Sequence, residues 1–263
     1  MTDLAQPQAP RSTGAGIRPV SFGDLRQALS EGWQDFRAAP QFGLLFGSIY
    51  VAGGLLILLC ALVLEMGYLV YPLAAGFAMI GPLVAVGPYE VSRRREIREP
   101  LSWRSIFRAI TTQGGQQLGC MAFVTLFLFI IWMYQVRLLL ALFLGLKPIA
   151  SLDRFITVVL TTQDGLMFLA VGHVVGAVLS LVAFSLTVVS LPLLVDRDVD
   201  CVTAMITSVQ AVIANPRTML AWGLIVAALL AIAMLPLFLG LLVVLPVLGH
   251  ATWHLYRKVV APA

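Results

Sequence analysis

Hydrophobic blocks alternate three times with polar or amphipathic stretches along this chain. The apolar blocks cover residues 42–90, 118–195 and 218–256, and the stretches that precede them cover residues 21–40, 102–117 and 198–216. A helix that crosses a bilayer needs about 20 predominantly apolar residues, so each block is long enough for two crossings. The pattern predicts an all-α fold, a polytopic membrane helix bundle with six transmembrane helices in three hairpins.

The same length criterion places the individual spans. We predict the first four helices at residues 42–64, 68–89, 118–136 and 166–191. The last apolar stretch, residues 218–254, would be about 55 Å long as one helix, which is nearly twice the thickness of the hydrocarbon core. It must therefore fold back, and we predict the break near Pro236 or Gly240.

The stretch before the first hairpin carries apolar residues at helical spacing. They recur every three or four positions and so lie on one stripe of an α-helix: Phe22, Leu25, Leu29, Trp33 and Phe36. Ser21 followed by Asp24 resembles a capping box at the helix start, and Pro40 marks its end. We predict an interfacial helix that lies under the first span.

The other two stretches repeat this construction. The second contains Trp103, Ile106, Phe107 and Ile110, and the third contains Val199, Val202, Ile206, Val209 and Ile213. We therefore predict a cytoplasmic amphipathic helix before each hairpin, with membrane-surface anchors at Phe22, Trp33, Phe36 and Trp103. Pro40 aligns with Pro216, which favours a tandem repeat. The predicted organisation is a disordered cytoplasmic tail at 1–20 and a single membrane domain at 21–258, with repeat-like units at 21–95, 102–195 and 198–258.

Composition and charge set the class and the orientation. Hydrophobic residues make up 60% of the chain and charged residues only 11%, with a mean hydropathy of +0.94, which excludes a water-soluble protein. In the six-span arrangement fourteen of the seventeen lysines and arginines lie on one side, and the other side has Arg137, Lys147 and Arg154. Basic residues accumulate in cytoplasmic loops, so both termini are predicted in the cytoplasm. The net charge of +4 is accounted for by basic residues that set the orientation and contact anionic lipid headgroups. The predicted partner is therefore the bilayer and not nucleic acid.

Glu90 is a candidate functional residue, because an acidic side chain beside a membrane span is costly in lipid. It comes just before Arg93 and Arg94. Two interpretations stay open: a local ion pair with these arginines, which we favour, and a proton or cation relay. The second span fits either close helix packing or a broken helix that lines a transport path, because it contains Gly76, Gly81, Pro82, Gly87 and Pro88.

His173 and His250 are candidate haem or metal ligands. Counted from the outer ends of their spans, His173 is about 12 Å deep and His250 about 20 Å deep, so one iron would need a helix shift to bind both. The favoured interpretation is packing and headgroup contact. The three cysteines, Cys60, Cys120 and Cys201, are an odd and scattered set that predicts neither a disulfide framework nor a zinc site.

Several short motifs carry a resemblance to a known family. Residues 21–36 read SFGDLRQALSEGWQDF, and the later motifs are Pro40, Gly47, Gly81-Pro82, Tyr89-Glu90, Ser92-Arg93-Arg94, Pro192, Ala204, Ser208, Asn215 and Trp222-Gly223. They resemble a bacterial integral-membrane family known only as a domain of unknown function, the DUF2189 type. Members are sometimes labelled as resembling cytochrome c oxidase subunit I, but this chain lacks that subunit's haem- and copper-ligating histidines. The resemblance implies the architecture and a bacterial inner-membrane location, and it implies no catalytic or binding residue.

Three functional hypotheses follow. The leading one is a non-enzymatic scaffold or assembly factor for a membrane complex, with other membrane-protein subunits as partners. The alternative is a small transporter or permease with its path near the second span, and a weaker alternative is a haem- or metal-binding protein that uses His173 and His250. Because the chain has no nucleotide-binding, metalloprotease or nucleophile-elbow motif, we predict no enzyme, no catalytic residue, no metal site and no cofactor.

Overall fold

The computed structural model describes residues 16–63, 84–108, 115–145 and 152–262, and in these ranges the chain is helical and contains no β-strand. This confirms the all-α prediction. The helices are α1 (Phe22–Ala38), α2 (Pro40–Leu58) with a π-helical turn at Leu59–Val63, α3 (helical over residues 84–96), α4 (Trp103–Arg108), α5 (Gly115–Phe143), α6 (Leu152–Thr161), α7 (Gln163–Thr187), α8 (Ser190–Asp196), α9 (Cys201–Ala214), α10 (Pro216–Met234) and α11 (Leu241–Val259).

Four helical segments among the described residues are long and apolar enough to cross a membrane: Pro40–Leu58, Gln116–Phe143, Gln163–Asp196 and Pro216–Met234. They correspond to the predicted first, third, fourth and fifth spans. The predicted second span, 68–89, falls mostly outside the described residues, so the six-span arrangement stays a prediction. α5 is longer than predicted, because the apolar sequence continues past Arg137 to Phe143.

The predicted break in the last apolar stretch is confirmed. Residues 235–240 leave the helix, and Leu237 and Phe238 adopt positive φ angles of 50° and 65°. A Cβ on Gly240 would lie 2.6 Å from the carbonyl oxygen of Ala233, so a larger residue could not pass this close to the end of α10. The chain then enters α11.

The start of α1 is also as predicted. Ser21 is the N-cap, the backbone N–H of Asp24 donates to its hydroxyl, and the backbone N–H of Ser21 donates to the Asp24 carboxylate at 2.9 Å. This is a capping box made with an aspartate. Pro40 then occupies the first turn of α2, where the missing N–H costs nothing.

The packing of α1 differs from the prediction. α1 lies mainly against α11, and only a few of its residues contact α2, the first span. Its buried face consists of Leu25, Ala28, Gly32, Asp35 and Phe36, whereas two residues of the predicted stripe, Phe22 and Trp33, are exposed. The small-residue face lies inward because it lets the backbone of α11 approach α1 closely. A Cβ on Gly32 would lie 2.5 Å from the backbone nitrogen of Ala251.

The helix before the last hairpin packs in the same way. α9 buries small and polar residues such as Ala204, Ser208 and Ala211. The large side chains of its predicted stripe, Val202, Ile206 and Ile213, are exposed. In both helices the face with the small residues makes the close contact, and much of the large apolar surface points outward. The second such helix, α4, buries Ile106, while Trp103 is partly exposed against Phe42. Ile110 of its predicted stripe lies outside the described residues.

α1–α2 and α9–α10 share a junction geometry. Ala39 and Asn215 have closely similar backbone angles (φ −141°, ψ 54° and φ −129°, ψ 51°), and each is followed by a proline that opens a 19-residue helix. Ala28 and Ala204, which the proline alignment matches, are both fully buried. The junctions at Pro40 and Pro216 are thus built alike.

Residues 16–18 pair with residues 259–261, which corrects part of the predicted tail. Within the tail predicted at 1–20, the described residues 16–20 are paired: the N–H of Arg18 donates to the carbonyl of Val259, and Ile17 forms an isolated bridge with Val260. The N–H of Val20 donates to the side chain of Asn215 at 2.8 Å. Backbone pairing with the C-terminus is a long-range contact, so composition alone could not predict it.

The cysteines are a second correction. Cys120 and Cys201 form a disulfide with a Cα–Cα distance of 6.4 Å, and Cys60 is free and buried. The side chain of Gln117 accepts a hydrogen bond from the N–H of Cys201 and holds the starts of α5 and α9 together. The two cysteines are 81 residues apart in sequence, so only the tertiary contact of these helix ends pairs them.

Candidate functional site in the contact between α1, α3 and α11

Asp35 is the centre of a buried polar network. Ser92 donates from Oγ to its Oδ2 at 2.6 Å, Arg95 donates from Nε to its Oδ1 at 2.7 Å, and His254 Nε2 lies 2.8 Å from its Oδ2. The Asp35 residue is only 6% exposed. Three charge-assisted or hydroxyl donors therefore replace the water that the carboxylate loses on burial.

Helical spacing brings these side chains together. Asp35 follows Gly32 by three residues on the buried face of α1, where the small glycine lets α11 approach. Ser92 and Arg95 are three residues apart on α3, and His250 and His254 are four apart on α11, so each pair lies on one helix face. Three helices thus contribute one polar face each.

The network keeps Asp35 ionised. Burial by itself raises the pKa of this carboxyl, but hydrogen bonds from His254, Ser92 and Arg95 outweigh that effect and lower the pKa to about 2. At neutral pH the carboxylate is therefore an acceptor in all three bonds.

His250 extends the network into the interior. Its Nδ1 lies 2.8 Å from Ser92 Oγ, and the whole residue is fully buried. Its Nε2 is the one buried side-chain nitrogen or oxygen without a hydrogen-bond partner among the described residues. Most buried polar atoms are paired, so this nitrogen stands out from the rest of the site.

Glu90 makes a separate cluster on α3. Its carboxylate pairs with Arg93 Nε at 2.7 Å and with Arg94 Nε at 2.6 Å, and Arg94 also reaches Glu99 at 2.9 Å. The hydrogen bonds that Arg93 donates to Glu90 raise the pKa of Arg93. This is the local ion pair that we favoured, but its setting differs from the membrane surface that the sequence suggested. Glu90 is fully buried, because α3 packs between other helices at this level.

A polar cleft of about 350 Å³ opens next to Asp35. Lys258 Nζ lies 3.9 Å from Glu31, and Arg257 pairs with Glu96 at 2.9 Å and with Asp196 at 3.2 Å. Opposite charges therefore alternate around the opening. The side chains that line the cleft are Glu31, Gln34, Asp35, Arg95, Glu96, His254, Arg257 and Lys258.

The two histidines suggested as joint ligands are in different environments. His250 is buried against α3, whereas His173 is exposed on α7, where its Nδ1 bonds the carbonyl of Leu169 at 2.6 Å. His173 lines an apolar cleft of about 570 Å³ between α5 and α7 together with Trp132. The described residues contain no group of three histidine, cysteine or acidic side chains that could hold a metal ion.

The glycine- and proline-rich run is described only from residue 84 onward. Gly76, Gly81 and Pro82 lie outside the described residues. In the described part, a Cβ on Gly87 would lie 2.2 Å from the ring of Phe46, and a Cβ on Gly249 would lie 2.8 Å from Pro88. Both positions need glycine for close helix packing.

The centre of the site was not predicted from the sequence. Asp35, Arg95 and His254 were not among the candidate functional residues, and Ser92 appeared only in the motif Ser92-Arg93-Arg94. One signal was available: Asp35 continues the small-residue positions Ala28 and Gly32 at steps of four and three, which marks a closely packed helix face.

The comparison with protein families supports the membrane assignment. The family model described as "Predicted integral membrane protein (DUF2189)" matches residues 70–196, from the predicted second span to the end of α8. No curated protein and no solved structure matches this chain. The match confirms the family resemblance, and nothing in it supports the label that refers to cytochrome c oxidase.

Proposed function

We propose that this integral membrane protein of the DUF2189 type is a multi-pass protein of the bacterial inner membrane and a non-enzymatic scaffold or assembly factor for a membrane complex. Both termini are assigned to the cytoplasm. The distribution of basic residues supports this orientation, because fourteen of seventeen lie on one side in the six-span arrangement.

The single observation that carries the scaffold role is the outward apolar surface of the structure. α5 packs mainly on α7 and leaves large side chains exposed along its length, among them Phe123, Phe127 and Tyr134. Contiguous exposed apolar surface marks contact with lipid or with another protein. Because α5 contributes so little to the internal core, its outer face is free to pack against helices of other subunits.

A rigid base for such a surface supports the same role. The α1–α3–α11 contact is held by ion pairs and by backbone pairing of residues 16–18 with residues 259–261, so α11 has a fixed position relative to α1. A scaffold has to present a surface in a constant geometry. The polar network fixes α1, α3 and α11 relative to one another, and α5 joins the molecule through α7, α8 and α9.

Co-purification from native membranes tests the scaffold role. We expect the wild-type protein to retain a stoichiometric membrane-protein partner, and we expect the Phe123→Ala/Phe127→Ala variant to lose it while remaining folded. The matched control is Val174→Ala/Val178→Ala, two exposed positions on α7. A wild-type protein that is extracted in native nanodiscs with lipid alone would contradict the proposal.

Cysteine labelling tests the orientation separately. Single cysteines at Ser12, Ser151 and Ala261 in a cysteine-free variant should react with an impermeant thiol reagent in spheroplasts only at Ser151. Labelling at Ala261 would show that the chain has no sixth span. The natural Cys120–Cys201 pair gives an independent check, because cytoplasmic thiols are kept reduced. The structure pairs these two cysteines, which argues for the opposite orientation. Two free thiols in growing cells would instead support both termini in the cytoplasm.

A proton-coupled transporter is the second candidate function. The chain of buried hydrogen bonds from His250 through Ser92 to Asp35 favours it, because buried ionisable side chains in membrane proteins commonly serve ion movement. Uptake by proteoliposomes would test this candidate. A redox spectrum of the purified protein would test the haem or metal hypothesis, which none of the described contacts favours.

A further inference from the structure

We propose that His250 is a proton-accepting site inside the membrane domain, and that Ser92 and Asp35 connect it to the polar cleft. This inference goes beyond the scaffold role and does not depend on it. It is carried by the hydrogen-bond geometry of three buried side chains from α1, α3 and α11.

The position of each hydrogen follows from the donor count. Ser92 has one hydroxyl hydrogen, and its Oγ lies 2.6 Å from Asp35 Oδ2 and 2.8 Å from His250 Nδ1. An ionised carboxylate only accepts, so the hydroxyl hydrogen points at Asp35. His250 Nδ1 must then carry the hydrogen that it donates to Ser92, which leaves Nε2 with a lone pair.

That lone pair is the proposed proton-binding atom. Nε2 is buried, and none of the described residues gives it a hydrogen bond. A proton bound there converts the ring into an imidazolium that keeps its bond to Ser92. The charged or titratable groups that face the ring are Asp35 from α1, Arg95 from α3 and His254 from its own helix. Burial of the ring is the largest influence and disfavours the added positive charge, as do His254 and Arg95, whereas Asp35 and the backbone carbonyl of Pro88 favour it.

The bonds define a path that a proton can follow in either direction. When Nε2 gains a proton, the Nδ1 hydrogen passes to Ser92 Oγ, and the original hydroxyl hydrogen of Ser92 passes to Asp35 Oδ2. Asp35 borders the polar cleft, so the proton leaves from its carboxyl to water there. Each step forms one N–H or O–H bond and breaks another, so the protons balance and no oxidant or reductant is needed. The ring then carries its hydrogen on Nε2, and it regains the Nδ1–H tautomer when the ring rotates or when the transfers run in reverse.

The proton donor is hydronium carried by water. A cavity of about 160 Å³ lies beside the same turn of α11, lined among others by Gly249 and Thr252 and by Pro88 from α3. This volume exceeds the space that one water molecule needs. His250 itself does not line this cavity, but Gly249 and Thr252 are one and two residues from it on α11. We therefore assign the entry of the proton to this cavity and its exit to the polar cleft.

Nitrogen-15 NMR tests the site in the full-length protein. The chain has three histidines, so labelled histidine in lipid nanodiscs gives a simple spectrum, and His250→Gln assigns the buried ring. We expect the wild-type His250 to be the Nδ1–H tautomer at neutral pH, and we expect Ser92→Ala to lose this preference. An Nε2–H tautomer in the wild-type protein would overturn the proposal, and this result does not depend on the folding of a variant.

Proton flux tests the connection to the cleft. In vesicles that contain a pH-sensitive dye, the wild-type protein should dissipate a pH gradient faster than protein-free vesicles, and Ser92→Ala and His250→Gln should return to the protein-free rate. Ser30→Ala, at an exposed position on α1, is the matched control and should behave as wild type. Wild-type flux at the protein-free rate would overturn the connection. The scaffold proposal is judged separately, by the partner in native membranes.

Discussion

Two regions of this molecule solve the problem of packing apolar helices in opposite ways. In the α1–α3–α11 contact, small residues bring the backbones close and the space is filled by ion pairs and hydrogen bonds around Asp35 and Glu90. In the α5–α7 pair, large apolar side chains remain exposed and an open cleft separates the helices near His173. In the first region polar groups therefore fix the relative positions of the helices. In the second region the apolar surface remains available for contact with lipid or with partner proteins.

The largest expected effect is on Glu90. Glu90→Gln removes the buried carboxylate that two partly buried arginines share, and breaking a buried ion pair by changing one partner costs about 3–5 kcal/mol. We expect this loss in unfolding free energy in mixed detergent micelles. Glu99→Gln is the control, because the Glu99 side chain is about half exposed and its pair with Arg94 should contribute about 0–1 kcal/mol. Equal losses for both variants would show that Glu90 is solvated in the membrane.

Asp35 should give a pH-dependent effect. Its folded-state pKa is lowered to about 2, so its stabilisation is fully present above the unfolded value of about 3.9 and is lost as the pH falls toward 2. This amounts to about 2–3 kcal/mol of unfolding free energy. Asp35→Asn should be less stable at neutral pH and should show a smaller decline below pH 4. A wild-type curve that is as flat as that of the variant would contradict the network.

Two glycines compare the regions directly. Gly32→Ala places a Cβ against the backbone of Ala251, and overpacking of this kind costs about 1–3 kcal/mol. Gly119→Ala in α5 meets no atom within 4 Å and should stabilise the helix by about 0.5–1 kcal/mol. Thermal unfolding of the two variants in one detergent gives the sign of each change. Changes of the same sign would show that the two regions are packed alike.

The smallest effect is expected at Trp33. The Trp33 side chain is about half exposed on α1. Contact of this exposed half with lipid headgroups would add about 1 kcal/mol to the unfolding free energy. Trp33→Ala should therefore destabilise the protein in nanodiscs, and Ser30→Ala should not. If Trp33→Ala has no effect in lipid, α1 is not a membrane-surface anchor.

Local features were predictable because they depend on neighbours in sequence. The capping box of Ser21 and Asp24, the helix end before Pro40 and the break near Gly240 need only a few adjacent residues. The pairing of Glu90 with arginines three and four residues later is also local. The complete burial of Glu90 inside the protein was not predictable, since it depends on the helices that pack around α3.

The sequence by itself determined that this is a helical membrane protein, where several helices begin and end, and which residues have polar groups to satisfy. Only the tertiary structure decided that Asp35 meets Ser92 and His254, which are 57 and 219 residues away, and that Cys120 meets Cys201. It also decided that α1 presents its small-residue face, and not its aromatic stripe, to α11. The physical reason is that helix periodicity records which residues share a face, whereas the partner of that face depends on shape and polar complementarity between distant segments.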